Sequence, residues 1–161
     1  MDFIIQPMGE AQVHDTVTLL KTLACEMREL DTQKKYFQFQ DYPEPLVREF
    51  VQKTLHDVDS MIYLALYDGE IIGFIGGQLQ NNVLPFLLPP KIGYIFGAYI
   101  KKDYRNQGVM KALEGKISGF FKQKGLECVD LHVLTFNTAG HQSWNKLGYT
   151  PYREQRRKYL N

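Results

Sequence analysis

The sequence predicts an α/β (α+β) fold, a mixed and mostly antiparallel sheet with helices on both faces. Three observations predict it. Hydrophobic periodicity switches along the chain in the order β α α β β β α β α β. Asp68-Gly69 between two β-rich runs is a strong hairpin signal. Two apolar runs, Tyr94–Ile100 and Cys128–Leu134, flank one long helical pattern, which suggests a parallel pair joined by a crossover.

The elements follow in chain order. Phe3-Ile4-Ile5 is a short strand ended by Pro7. From about Glu10 to Leu30, Val13, Val17, Leu20, Leu23, Ala24 and Met27 form an apolar stripe at helical spacing. Asp31 to Pro45 is a loop rich in Tyr, Phe and Gln. Pro45 suits the first turn of a second helix carrying Val47, Phe50, Val51, Leu55 and Val58. Met61–Tyr67 and Glu70–Leu79 are the arms of the hairpin, and Gly73, Gly76 and Gly77 imply a bulge or close backbone approach. Asn81 to Pro90 is an apolar, proline-rich loop. It either packs on the body as a lid or meets a partner or substrate, and packing is the expectation.

Past Gly108, apolar residues at 109, 110, 113, 117, 120 and 121 give a helix that Gly125 stops. Val129, Leu131 and Val133 alternate with Asp130 and His132, as in a strand with one buried face. Asn137 or Thr138 caps a short helix that Gly148 ends. The tail from Tyr149 to Leu160, with Arg153, Arg156, Arg157 and Lys158, is expected to be a last, basic strand.

Composition narrows the class. The 161 residues suit one domain spanning 1–161, with no internal repeat or linker. A net charge of +1 argues against a nucleic-acid-coating surface, and no apolar run reaches the length of a membrane span. Two cysteines read as reduced thiols, and the four histidines lack metal spacing. No signal peptide is evident, so the cytoplasm is the default.

The chemistry concentrates in Tyr104-Arg105-Asn106-Gln107-Gly108-Val109-Met110-Lys111, a basic turn between strand and helix. The first N–H groups of a helix lack internal partners and favour negative charge, so such a turn can cradle a phosphate. An ordinary strand-to-helix connection would read the same way on local chemistry alone.

This stretch resembles the acetyl-coenzyme A loop of the GCN5-related N-acetyltransferases, the GNAT superfamily, with Arg105 and Gly108 matching and Met110 standing where Gly or Ala is usual. Asn137 to Tyr149 resembles a second family segment, with Gly140 replacing an alanine and Trp144 a frequent tyrosine. The resemblance covers nearly the whole chain. It implies a splayed central parallel pair and an acetyl-coenzyme A-dependent N-acetyltransferase in which an amine attacks the thioester directly.

The resemblance also implies residues. Ala98, Tyr99 and Ile100 would meet pantetheine, with the oxyanion held near Tyr99 or Ile100. Arg105, Asn106, Gln107, Gly108, Val109, Met110 and Lys111 would surround the pyrophosphate, and Asn137 would touch the pantetheine arm. Trp144 stands where the family tyrosine acts as acid, a role closed to indole, so it walls the channel or joins the core. No glutamate lies on the central strand, which leaves His132, Glu29 and Tyr94, or a water chain, as candidate bases. The acceptor, a small-molecule or peptide amine, should be bordered by loops 31–42 and 81–90 and the basic tail. A homodimer is expected, as family members commonly pair. The alternative function is a non-catalytic acyl-coenzyme A-binding regulatory module.

Overall fold

A computed structural model describes residues 1–160. Strand β1 (Ile4–Pro7) leads through a 3-10 turn to helices α1 (Val13–Leu30) and α2 (Glu44–His56). Strands β2 (Ser60–Tyr67), β3 (Glu70–Asn81) and β4 (Lys91–Ile100) follow, then helix α3 (Val109–Gln123), strand β5 (Val129–Leu131) and helix α4 (Thr138–Lys146). The sheet order is β1-β2-β3-β4-β5, antiparallel except for the β4–β5 pair. The hairpin between β2 and β3 turns on Asp68 and Gly69, both at positive φ as a tight two-residue turn requires.

The sheet has an apolar core on each face. On one side Leu113, Ile117 and Phe121 of α3 pack against Ile72, Ile95 and Ile100. On the other, Val17 of α1 and Val51 of α2 pack against Ile62, Leu64, Phe74 and Tyr99. Small residues admit the large rings. A Cβ on Gly93 would lie 2.6 Å from the Phe121 ring, and one on Gly76 would lie 2.3 Å from that of Phe96.

Four expectations need correction. The final strand is absent: residues 151–160 have no regular structure and are exposed. Pro151 offers no ladder donor, the four tail cations repel one another, and β5 is too short to template a neighbour. Side chains hold the tail instead. Tyr152 donates to the Asp130 carboxylate, and Tyr159 and Arg157 donate to the Lys35 carbonyl. Strand β5 itself spans three residues rather than Cys128–Leu134, because β4 diverges from it.

The apolar loop after β3 does not pack as a lid. Phe86 is 76% exposed and Leu88 is 88% exposed, and the loop is closed at its base by Asn82, which donates to the Pro89 and Pro90 carbonyls. Val58 lies beyond the end of α2 and is exposed.

Candidate active site

The site begins where two strands part. β4 pairs with β3 along its length to Ile100, but with β5 only from Gly93 to Ile95. A bulge opposite Gly76 and Gly77 inserts Phe96 and shifts the alternation of β4. Before the bulge, the Gly93 N–H reaches the Cys128 carbonyl; after it, the Lys101 N–H reaches the Ile72 carbonyl of β3. Alternation therefore turns the N–H groups of Ala98 and Ile100 into the gap and that of Tyr99 toward β3.

The turn follows directly. Asn106 and Gly108 both have positive φ, and Gly108 caps α3 with no side chain of its own to satisfy the first N–H groups. No heavy atom lies within 4 Å of where a Gly108 Cβ would stand. The result is an open set of backbone donors at a helix N-terminus, with Lys111 in the first turn, which fits a pyrophosphate. Met110 packs on the α3-side core, so its bulk does not crowd the cradle.

Arg105 does more than border the turn. Its Nε donates to the Ile100 carbonyl at 2.9 Å, its Nη2 to Glu26 Oε2 at 2.9 Å, and its guanidinium sits 5.4 Å from the Tyr99 ring centre. Tyr99 donates its hydroxyl to Glu26 Oε1 at 2.8 Å. Burial alone would raise the Glu26 carboxyl, but the hydrogen bonds from Arg105 and Tyr99 outweigh it, and the pKa lies below the ordinary carboxylate value. Burial, then the Glu26 bond and charge, push the Tyr99 phenol up to about 12. Glu26 was not legible as a site residue; it lies 73 residues from Tyr99 in sequence, and no local motif marks it.

The structure joins two candidate bases. The Tyr94 hydroxyl lies 2.8 Å from His132 Nδ1, and their rings meet edge to face at 5.5 Å. Tyr94 pairs with Asp130, one position before Ile95 and Leu131 form the last pair of the ladder. Partial burial raises the Tyr94 phenol above its ordinary value, while His132 is exposed. Glu29 is exposed on α1 and joins no hydrogen bond among the described residues.

Asn137 caps α4, accepting the Gly140 N–H at 2.9 Å, and its Nδ2 approaches Met27 Sδ at 3.5 Å. A Cβ on residue 140 would lie 2.5 Å from that amide, which accounts for glycine in place of alanine. Trp144 is half-buried against the α3-side core and meets Tyr149 edge to face at 5.2 Å. Tyr149 donates to Glu114 at 3.0 Å; burial and the Glu114 charge raise its phenol far above the usual range.

Comparison with known proteins agrees with this geometry. The profile of the acetyltransferase (GNAT) family matches residues 24–149. No curated protein matches significantly. Among solved structures, AAC(6')-Iy in complex with the bisubstrate analogue CoA-S-monomethyl-acetylneamine is similar at a TM-score of 0.78 and 15% identity, covering 100% of this chain and 99% of that one. The aminoglycoside 6'-N-acetyltransferase AAC(6')-Ih from Acinetobacter baumannii is similar at 0.77 and 15%, covering 99% of each chain. A predicted acetyltransferase from Clostridium acetobutylicum, solved with acetyl-CoA, is similar at 0.78 and 12%, covering 99% of this chain and 96% of that one. A parting β4–β5 pair that leads into a glycine-opened helix, with the family profile laid across both, makes this chain a member of the GNAT acetyltransferase family, an acetyl-coenzyme A-dependent N-acetyltransferase.

Proposed function

We propose that the chain acetylates a small-molecule amine with the donor lying in the β4–β5 gap and its phosphates on the turn at Gly108. The observation that carries this is the line of unpaired β4 donors, Ala98 and Ile100, ending at the bare N-terminus of α3. Acetyl-coenzyme A supplies, when bound, a thioester carbonyl open to attack and a thiolate leaving group.

The residues then divide the work. The Ala98 and Ile100 N–H groups hold the pantetheine arm and the developing oxyanion. N–H groups from Gly108 to Lys111 hold the phosphates. His132 takes the amine proton at Nε2, which is free when Nδ1–H donates to Tyr94. Trp144 walls the channel, and solvent protonates the thiolate. Loop 31–42 and the tail border the acceptor, which enters on the α1–α2 side. We take the chain as one catalytic domain acting in the cytoplasm, where its acyl donor is available, and paired as a homodimer. The exposed Phe86 and Leu88 support the pairing.

The test is acetyl-coenzyme A turnover against a panel of amines, beside calorimetry of donor binding. We expect binding and turnover, with His132→Ala losing roughly 10²-fold in kcat. Donor binding with no turnover on any amine would refute the transferase mechanism.

A further inference from the structure

The charge around the acceptor entrance is lopsided. The whole chain carries a net charge of +1, yet residues 149–160 hold Arg153, Arg156, Arg157 and Lys158 against Glu154 alone. The tail runs from Asp130 on β5, where Arg153 donates to the Tyr152 hydroxyl, to the loop after α1, where Arg157 donates to the Lys35 carbonyl. Arg153, Arg157, Lys158, Lys34 and Lys35 pair with no carboxylate within 4.0 Å among the described residues, and only Arg156 is met, by Glu154.

Three of the carboxylates that would attract a cationic acceptor are already engaged. Asp31 is buried, and its Oδ2 accepts the N–H groups of Lys35, Tyr36 and Phe37 and the Gln38 amide. Asp130 accepts the Tyr152 hydroxyl, and Glu26 holds Arg105 and Tyr99. Three of the aromatic faces already carry a cation. Arg28 lies 4.5 Å from the Phe39 ring centre, Lys21 6.0 Å from that of Tyr42, and Arg153 5.3 Å from that of Tyr152. Glu29 and Asp41 remain as the unengaged carboxylates near this loop, outnumbered by the free cations.

We propose that the acceptor is an amine that also carries an anionic group, a carboxylate or phosphate, read by the tail arginines and the loop lysines. A polycation such as an aminoglycoside does not fit this field. The inference rests on the acceptor side assigned above, and it narrows the substrate from any amine to an amino-acid-like or phosphorylated one. An arginine fork suits either anion.

The experiment compares two matched pairs of amines, phenylalanine with phenylalaninamide and phosphoethanolamine with ethanolamine, and sets the polycations kanamycin and spermidine beside them. Donor binding is followed separately by calorimetry. We expect the anionic member of at least one pair to exceed its uncharged counterpart about tenfold or more in kcat/KM, with high salt narrowing the gap. Which pair responds tells carboxylate from phosphate. Arg153→Glu with Lys158→Glu, both exposed, should reduce that preference while leaving donor affinity unchanged. Preference for kanamycin or spermidine, equal rates within both pairs, no acetylation of any member, or a charge reversal that weakens the donor instead of the acceptor would overturn the proposal. Loss of donor binding in the native enzyme would sink the donor-site reading instead, so the two failures are distinguishable.

Discussion

Arg105 Nη2 stands 2.9 Å from Glu26 Oε2, and the same guanidinium holds the Ile100 carbonyl through Nε. One side chain thus ties α1, the end of β4 and the turn before α3 together. The geometry needs a planar fork and not only a positive charge. Arg105→Lys should therefore raise the KM for acetyl-coenzyme A by roughly fivefold, equivalent to about 1 kcal/mol, with kcat little changed. The ion pair is partly exposed, which keeps the expected effect modest. Steady-state kinetics checks it, and an unchanged KM would show that charge alone suffices.

Gly108 separates backbone strain from electrostatics. Its φ is 83°, and a Cβ would meet nothing within 4 Å. Gly108→Ala then costs only the left-handed backbone, about 1–2 kcal/mol. Gly108→Asp adds a negative charge at the proposed phosphate cradle. Calorimetry should rank donor affinity as wild type, then Ala, then Asp, with Asp weaker by about tenfold or more.

Trp144 packs and does not titrate. Trp144→Phe keeps a ring and should retain most of kcat, whereas Trp144→Ala opens the contact with Tyr149 and should cost about 3 kcal/mol of stability. A Trp144→Phe enzyme that binds the donor normally but loses about a thousandfold in kcat would assign the indole N–H a chemical role.

Asp31 gives a pH signature to the loop that follows α1. Burial would raise its carboxyl, but three backbone N–H groups and Gln38 outweigh burial and hold it at about 2, against 3.8 ordinarily. Its folded pKa is depressed, so its stabilisation is present above about pH 4 and is lost as pH falls toward 2. Thermal unfolding from pH 5 to 2 should show this decline, and Asp31→Asn should flatten it while lowering the melting temperature near neutrality.

Local signals carried most of the fold. Helical spacing gave α1 and α3, Asp68-Gly69 gave the hairpin, and Gly108 marked the turn that opens α3. Long-range contacts were invisible. Nothing near Glu26 announces Tyr99 or Arg105, and Tyr94 and His132 meet only because β4 and β5 are neighbours. The tail misled because a last strand needs a neighbour to pair with, and the shortness of β5 removed it. The loop 82–90 misled because apolar content does not fix burial when the loop is closed at its base by Asn82.

The central claim is that the donor lies along the free edge of β4 and bonds Ala98 and Ile100. Amide hydrogen exchange followed by NMR, residue by residue, tests it with and without acetyl-coenzyme A. The Ala98 and Ile100 amides should exchange markedly more slowly in the complex, while Tyr99, already in the β3 ladder, changes little. Saturating donor that leaves the Ala98 and Ile100 amides exchanging as before would contradict the account.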